Sequence, residues 1–253
     1  MNQVKQYNYK EKSLLKNRFF LYVNGEIIKV IDAWKGDITI IKDIEAEGFI
    51  YCPSAKGQKK KDNKTKERHN YMNKVLIVID MQNDFITGSL GSKDAEAIVP
   101  TVKEKIDSYI KEGFPVIFTR DTHGKGYLNS MEGKNLPVEH CIKGTFGWEI
   151  PEDIAVENAE YINKFSFGYD SWHHIKTLSD AYVNGEYCIF ELVGLCTDIC
   201  VVSNALILKA IYSEAEIIVD ASCCAGTTPE KHNAALETMK SCQIKVIGEK
   251  DSE

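Results

Sequence analysis

The stretch KVLIVIDMQNDF (74–85) determines the fold class of most of the chain. Its residues 75–79 are five consecutive apolar side chains, a pattern typical of a β-strand that is buried on both faces of a parallel sheet. Asp80 follows directly, at the end of this predicted strand. A carboxylate at that point has no role in packing, so it indicates either a turn or helix-capping aspartate or a functional group.

Downstream of this stretch, apolar runs of strand length alternate with segments whose apolar residues recur at helical spacing. Strands are predicted at 74–80, 114–121, 159–164, 186–194, 215–223 and 243–248, and helices at 97–113, 169–185, 197–213 and 228–242. This alternation predicts an α/β fold, a three-layer sandwich in which helices cover both faces of a six-stranded, mainly parallel sheet. Ligands of such folds bind beyond the carboxyl ends of the strands.

The first 71 residues have a different pattern. Residues 1–55 are interpreted as a small β-rich module, because FFLYVNGEIIKVIDA (19–33) places two strand-like runs around Asn24-Gly25, a strong hairpin signal. Further strands at 37–43 and 48–52 would complete a β-meander. Residues 56–71 contain KGQKKKDNKTKER (56–68), with seven basic and two acidic side chains and nothing apolar to bury, which predicts a solvated linker. The main domain is predicted to span 72–253, with Met72 as an alternative natural start.

Composition and charge exclude several classes of protein. The chain of 253 residues is 43% apolar, so it can bury a core of substantial size. Residues 72–253 carry 16 basic and 28 acidic side chains, which argues against nucleic acid as a partner, and the basic linker has no aromatic platform for stacking bases. No apolar run approaches the roughly 20 residues of a membrane span, the start resembles no signal peptide, and the cysteines are not spaced like a secreted disulfide framework. We therefore expect a cytoplasmic protein with neither membrane nor nucleic-acid partners.

Three chemically active side chains follow predicted strands. Asp80 ends the first strand, Lys164 ends the strand 159–164, and Cys200 lies at the start of the helix 197–213. A helix N-terminus favours the thiolate, so this position predicts a lowered pKa for Cys200. Taken singly, the three are also compatible with a capping aspartate, a surface lysine and a buried structural cysteine. Together they supply a base, a cation and a nucleophile at one edge of the sheet, which favours nucleophilic catalysis.

A second group of polar residues follows the predicted strand 114–121. Asp121 and His123 lie in TRDTH (119–123), and Glu132 and His140 lie in EGKNLPVEHC (132–141). Two imidazoles and two carboxylates form a ligand set suited to Zn²⁺, Fe²⁺ or Mn²⁺. Their irregular spacing would place the site in loops, and an ordinary loop histidine at position 140 is the alternative.

These motifs together resemble those of the isochorismatase-like cysteine hydrolases, and among them most closely those of nicotinamidases and pyrazinamidases. The matching segments are VLIVIDMQNDF, TRDTH, LPVEHCIKGTFGWEI, NKFSFG and VGLCTDICV, which occur in the order of the family across residues 73–250. The resemblance implies a catalytic triad of Asp80, Lys164 and Cys200. It also implies a cis peptide bond between Leu195 and Cys196, with the backbone N–H groups of Cys196 and Cys200 forming an oxyanion hole.

The same resemblance implies metal ligands and a wall for the substrate ring. The implied ligands are Asp121, His123, Glu132 and His140. Glu132 corresponds to a fourth ligand that only some members have, and its spacing to His140 is one residue longer than the family pattern. Phe85 corresponds to an aromatic residue that lines the substrate ring, and Phe167, three residues after Lys164, is a second candidate for this wall. Ordinary core packing is the alternative for both.

The activity that the resemblance implies is hydrolysis of nicotinamide to nicotinate and ammonia through a thioester on Cys200. A divalent metal would be the cofactor, zinc first with iron or manganese as alternatives, the substrate would be a small amide, and the protein would be a homo-oligomer. Two other readings stay open: a related cysteine amidase acting on a carbamoyl or ureido compound, and a non-catalytic binding module of the same fold. The chain departs from the family at Cys196, where a small residue such as alanine is common, and in residues 1–71.

Overall fold

The computed structural model describes residues 16–23, 26–34, 49–52, 73–183 and 188–249. The chain divides into two compact units, Met1–Glu67 and Arg68–Glu253. The division falls within the predicted linker 56–71, which itself lies outside the described residues. The boundaries of the module, the linker and the main domain therefore stay predictions.

The described strands of the first unit form one antiparallel sheet. β1 (Lys16–Val23) lies in the centre, with β2 (Glu26–Trp34) on one side and β3 (Phe49–Cys52) on the other. This order differs from that of a meander, in which each strand pairs with the next one along the chain. The predicted turn at Asn24-Gly25 and the predicted strand 37–43 lie outside the described residues.

The second unit is built on a six-stranded sheet in which all neighbouring strands are parallel. Its strands are β4 (Asn73–Ile79), β5 (Val116–Asp121), β6 (Glu160–Lys164), β7 (Cys188–Leu195), β8 (Glu216–Ala225) and β9 (Lys245–Ile247). Their order across the sheet is β6-β5-β4-β7-β8-β9, so the strand predicted from KVLIVID lies near the middle. The predicted α/β fold with six strands is confirmed.

Helices cover both faces of this sheet. They are α1 (Asn83–Ile86), α2 (Lys93–Glu112), α3 (Met131–Asn135), α4 (Lys176–Val183), α5 (Val202–Ile211) and α6 (Pro229–Ser241). Alternate residues of β4 point to opposite faces: Val75 and Ile77 pack into a core with α4, α5 and α6, whereas Leu76 and Val78 pack with α2. None of the helices in these described segments is long and apolar enough to cross a membrane.

The starts of α2 and α4 differ from those predicted, as does the start of α5, which is described with the site. α2 starts at Lys93 rather than at residue 97, because the side chain of Ser92 accepts a hydrogen bond from the Ala95 N–H at 3.1 Å and caps the first turn. The prediction of one helix over 169–185 is wrong, since a 3₁₀ turn at Trp172–His174 precedes α4. Long-range hydrogen bonds to α5, described below, hold the residues before this turn in a loop.

The parallel arrangement brings the chemically active residues to one edge. Asp80 follows β4, Asp121 ends β5, Lys164 ends β6 and Cys196 follows β7. Because the carboxyl ends of parallel strands meet at the same side of the sheet, residues that are far apart in sequence lie together there. The four strands concerned are neighbours in the sheet.

Candidate active site

The three side chains predicted to be catalytic meet beyond the carboxyl ends of β4, β6 and β7. Nζ of Lys164 lies 2.6 Å from Oδ2 of Asp80 and 3.4 Å from Sγ of Cys200. All three residues are buried, with exposed fractions of 0% for Asp80, 1% for Lys164 and 5% for Cys200. The structure thus brings a carboxylate, an ammonium and a thiol into one contact group.

Asp80 is held by its backbone and by one carboxylate oxygen. Its φ of 46° lies in the left-handed region, which aspartate tolerates better than most residues. The hydroxyl of Thr119, a residue that sequence analysis missed, donates to Oδ1 of Asp80 at 2.7 Å and accepts from the Asp80 N–H at 3.1 Å. Within the described residues, Oδ2 receives no hydrogen bond of regular geometry, although it faces Lys164, and Cys200 lies against the same carboxylate. Asp80 therefore directs Oδ1 to Thr119 and Oδ2 to Lys164.

Burial and mutual charge shift the pKa values of these three side chains. It raises the pKa of the Asp80 carboxyl, and the adjacent Lys164 ammonium offsets this only in part. It also raises the pKa of the Cys200 thiol, an effect that the negative charge of Asp80 strengthens. Burial alone would lower the pKa of Lys164, but the charges of Asp80, Cys200 and Asp121 outweigh it and raise the pKa. The lowered pKa predicted for Cys200 is wrong, because desolvation outweighs the effect of a helix start.

Cys200 lies in a π-helical turn, Thr197–Val201, that precedes α5. The predicted helix 197–213 therefore begins as a wider turn. The peptide bond between Leu195 and Cys196 is cis, and the N–H of Val201 donates to the Cys196 carbonyl at 3.1 Å. Turns of this kind are frequent at functional sites.

Gly194 allows this turn to lie close to β4. Its φ of 119° is a conformation that side chains other than hydrogen rarely adopt, and a Cβ there would lie 2.1 Å from the carbonyl oxygen of Ile79. The ends of β7 and β4 approach each other for this reason, and with them Cys200 and Asp80.

The turn is anchored on its other side by residues of the β8–α6 connection and of α6. The carboxylate of Asp198 accepts hydrogen bonds from the N–H and the hydroxyl of Thr227, both at 2.7 Å. The hydroxyl of Thr197 lies 2.7 Å from Nδ1 of His232. Sequence analysis missed these anchors, because nothing in the local pattern connects residues that lie about 30 positions apart.

The four predicted metal ligands also converge. They are Asp121, His123, Glu132 and His140, and their ligand atoms all lie within 4.8 Å of one another. Oδ2 of Asp121 lies 2.9 Å from Nε2 of His123 and 3.6 Å from Nε2 of His140. Oε1 of Glu132 lies 3.7 Å from each of these two nitrogens. Nδ1 of His140 donates to the carbonyl oxygen of Val138 at 2.8 Å, which directs Nε2 toward the cluster.

This cluster fits a divalent metal ion. Two imidazole nitrogens and two carboxylate oxygens are ligands of zinc, iron and manganese, and they bind zinc at about 2.0–2.2 Å. Burial alone would raise the pKa of Asp121, but hydrogen bonds to both imidazoles and the charge of Lys164 lower it far below its usual range, so the carboxylate is ionised. Asp121 also connects the cluster to the catalytic group, because its Oδ1 lies 3.4 Å from Nζ of Lys164.

Gln82, which sequence analysis also missed, fixes the end of β5. Its Nε2 donates to the carbonyl oxygens of Asp121 and Trp148, both at 2.9 Å, and its Oε1 accepts from the Asp121 N–H at 2.7 Å. The side chain is completely buried. Gln82, in the segment that follows β4, therefore holds the backbone of Asp121, one of the four predicted metal ligands.

A cavity of about 800 Å³ opens beside the two groups. Its lining includes Cys196 and Cys200 as well as three of the four predicted metal ligands. Phe85 and Phe167, predicted as the wall for a substrate ring, also line it. Phe165 is a further aromatic side chain of this lining that sequence analysis did not single out, and it is 76% exposed.

The family model for the isochorismatase domain matches residues 74–251, which hold the sheet, both residue groups and the cavity. The chain belongs to the isochorismatase family. This isochorismatase-family chain is accordingly an enzyme of the hydrolase class.

Relatives and solved structures of the isochorismatase family cover most of the second unit. The nicotinamidase of Schizosaccharomyces pombe is 27% identical in an alignment of 212 positions, which covers 70% of this chain and 93% of that protein. The crystal structure of the nicotinamidase of Bacillus subtilis has a TM-score of 0.60 at 27% identity, over 70% of this chain and 99% of that one. A pyrazinamidase of Pyrococcus horikoshii in complex with zinc has a TM-score of 0.58 at 29% identity, over 69% of this chain and 98% of that one.

Proposed function

We propose that this protein is a metal-assisted cysteine amidohydrolase that converts nicotinamide and water to nicotinate and ammonia. The observation that carries the proposal is the shared cavity, in which Cys200 and the metal cluster face the same space. A nucleophile and an anchor for a ring nitrogen are the two elements that hydrolysis of a pyridine carboxamide needs. The nicotinamidases and the pyrazinamidase to which the chain is similar support this reading.

The metal would be held by Asp121, His123, His140 and, as the fourth ligand, Glu132. When bound, a divalent ion supplies an electrophilic position for a pyridine nitrogen and so orients the ring. Zinc is the first choice, since the similar pyrazinamidase structure contains zinc, and iron or manganese also suit this ligand set. Phe85 and Phe167 would confine the ring from the sides.

The first half of the reaction forms a thioester. Oδ2 of Asp80 takes the proton of Cys200, and a carboxylate with a raised pKa is the stronger base for this purpose. The sulfur then attacks the carboxamide carbon, while the Lys164 ammonium stabilises the negative charge that moves between carboxylate and thiolate. Backbone N–H groups of Cys196 and Cys200 would hold the oxyanion, and one such donor contributes about 3–4 kcal/mol in a studied protease.

The second half restores the enzyme. The proton on Asp80 passes to the departing amide nitrogen, which leaves as ammonia when the carbon–nitrogen bond breaks. Asp80, again a carboxylate, then takes a proton from a water molecule that attacks the thioester carbon. The carbon–sulfur bond breaks, nicotinate is released, and the proton returns to the Cys200 thiol.

Release of ammonia from a small panel of amides tests the proposal. Purified protein is incubated with nicotinamide, with benzamide, which lacks the ring nitrogen, and with a carbamoyl amino acid. We expect turnover of nicotinamide to exceed that of benzamide by far. Preference for the carbamoyl compound would favour the related cysteine amidase, and a folded, metal-loaded protein without turnover would favour a binding module.

A homo-oligomer in the cytoplasm remains a further prediction from the sequence.

A further inference from the structure

Asn204 connects the nucleophile turn to the aromatic wall of the cavity. Its side chain is completely buried in α5, one turn after Cys200. Nδ2 donates to the carbonyl oxygen of Cys200 at 2.8 Å and to that of Phe167 at 3.1 Å. Oδ1 accepts from the Tyr169 N–H at 2.8 Å and from Nε1 of Trp172 at 3.1 Å. These bonds use both donors and both lone pairs of the amide, so no hydrogen-bonding capacity is left over.

The segment that Asn204 holds consists of residues 165–171, between β6 and the 3₁₀ turn, and is here called the wall segment. Its first residues are fastened to the catalytic group, because Nζ of Lys164 donates to the carbonyl oxygen of Ser166 at 3.2 Å. Its middle lies directly on α5, since a Cβ at Gly168 would lie 2.4 Å from Cδ1 of Ile207. The wall segment is thus fixed at one end by Lys164 and in the middle by Asn204.

The surroundings of Asn204 indicate that the amide is present for these hydrogen bonds. The other buried positions of α5 are apolar, Ala205 and Leu208. Asparagine is a poorer helix former than leucine or alanine, and a buried amide is costly unless its hydrogen bonds are satisfied. In addition, the Cys200 carbonyl lies where the π-helical turn passes into α5, and the Asn204 side chain supplies a donor to it at this junction.

We propose that Asn204 is a positioning residue of the reaction. Its bond to the Cys200 carbonyl fixes the orientation of the turn that carries the nucleophile, and its bond to the Phe167 carbonyl fixes the wall segment against that turn. Substrate held against the wall is thereby kept at a constant distance from Sγ of Cys200. The inference rests on the proposed function. The hydrogen bond from Asn204 to the Cys200 carbonyl should affect kcat, and the bonds between Asn204 and Phe167 and Tyr169 should affect KM.

Two variants of Asn204 separate these contributions. Asn204→Ala removes all four bonds and should lower kcat for nicotinamide by about 10²-fold, the size of effect that a misplacement of about 1 Å produces. Asn204→Thr keeps a hydroxyl that can reach the carbonyl four residues earlier in a helix but cannot reach the wall segment. It should therefore retain most of kcat and raise KM.

Tyr212→Phe is the matched control. The Tyr212 hydroxyl, at the C-cap of α5, donates to the carbonyl oxygen of Trp172 at 3.1 Å, so its removal also costs a buried bond, here between the end of α5 and the 3₁₀ turn that follows the wall segment. This hydrogen bond involves neither Cys200 nor Phe167. We expect a lower melting temperature but values of kcat and KM near those of the unsubstituted protein.

Alkylation of Cys200 by iodoacetamide, followed on the Cys200 peptide by mass spectrometry, gives a second measure that does not depend on the substrate. Asn204→Ala should slow this reaction, whereas Asn204→Thr and Tyr212→Phe should not. If the unsubstituted protein fails to hydrolyse nicotinamide, the proposed function is wrong, and the alkylation rates still test Asn204. Should Asn204→Ala lower only the melting temperature, or Tyr212→Phe lose as much kcat, the positioning role is wrong. If Asn204→Ala does not fold, KM decides: Asn204→Thr should have a higher KM than Tyr212→Phe, and equal values would mean that the positioning role is wrong.

Discussion

Nζ of Lys164 lies 2.6 Å from Oδ2 of Asp80, and neither side chain reaches solvent. Two opposite charges removed from water stabilise each other only as a pair, because each alone carries a large desolvation cost. Nζ of Lys164 also lies 3.4 Å from Sγ of Cys200, so the pair is in contact with this thiol. The proposed mechanism therefore uses a contact on which folding also depends.

Lys164→Met should destabilise the protein by about 3–5 kcal/mol, because it leaves the Asp80 carboxylate buried without its counter-charge. Urea unfolding followed by tryptophan fluorescence measures this. Lys176→Met is the control, since it removes an exposed partner of Asp180 in α4 and should leave the unfolding midpoint unchanged. A loss for Lys164→Met below about 1 kcal/mol, the size typical of an exposed ion pair, would contradict a buried charged pair.

Cys200→Ala should abolish turnover of nicotinamide while the protein stays folded, because the sulfur forms the covalent intermediate. The matched variant is Cys196→Ala, which removes the other thiol of the cavity and should retain activity, since only the backbone of Cys196 is used. Both are measured by ammonia release. A Cys200→Ala protein with less than about a 10³-fold loss in kcat/KM, roughly 4 kcal/mol, would contradict the covalent mechanism.

Removal of the metal should raise KM for nicotinamide steeply and change the hydrolysis of benzamide much less, because only nicotinamide has a ring nitrogen to bind. Chelation and His123→Ala are two independent ways to test this, with metal analysis of the purified protein as the reference. The four ligand atoms lie within 4.8 Å of one another, so the loss of one imidazole weakens the whole set. Full activity of metal-free protein on nicotinamide would refute the metal assignment.

The ion pairs between α2 and the sheet should make stability dependent on pH. Nζ of Lys105 lies 2.7 Å from Oδ2 of Asp220 and 2.7 Å from Oε1 of Glu191. Burial alone would raise the pKa of Asp220, but hydrogen bonds from Lys105 and Ser222 lower it below its ordinary value. A carboxyl with a lowered pKa in the folded state stabilises the protein above its unfolded pKa, about 3.9, and loses this contribution as the pH falls through the folded value.

Comparison of the unsubstituted protein with Asp220→Asn checks this dependence. The difference in unfolding free energy should be greatest near neutral pH and should shrink as the pH falls below about 4. Asp107→Asn, which removes an exposed partner of Lys103 on the same helix, is the control and should show no such trend. A difference that does not change with pH would mean that Asp220 acts through packing alone.

A chain that starts at Met72 should fold and retain activity. The parallel sheet, both hydrophobic cores and every residue assigned to the site lie between residues 73 and 249. Circular dichroism and ammonia release of the shortened chain provide the measurement. An insoluble or inactive product would show that the first unit contributes to the core or to the cavity.

The sequence predicted those features that periodicity and strand ends reveal. Five apolar residues before Asp80 indicated a central strand, and the parallel sheet brought Asp80, Lys164 and Cys200 to one edge as expected. The pKa of Cys200 was predicted in the wrong direction, because depth of burial is a tertiary property that a position at a helix start does not reveal. The predicted helix start at residue 169 was wrong for a related reason. The side chain of Asn204, 35 residues later, accepts a hydrogen bond from the Tyr169 N–H and holds it in a loop.

The supporting residues Thr119, Gln82 and Asn204 escaped detection because each acts on a residue distant in the chain or through the backbone. None of them is unusual for its local sequence. Their importance follows only from the hydrogen bonds that they complete in the folded protein, and such bonds leave no periodic signal.

The π-helical turn at Thr197–Val201 has a consequence for the spacing of the chain. Each residue of an α-helix advances the side-chain direction by about 100°, so the direction of every side chain depends on how many residues precede it. A π turn contains one more residue than an α-helical turn, and this extra residue changes the direction in which the Cys200 side chain points relative to the cavity. The number of residues between Leu195 and α5 thus helps to determine where the sulfur of Cys200 lies. Recruitment of this scaffold for other chemistry would have to keep that number while it changes the side chains.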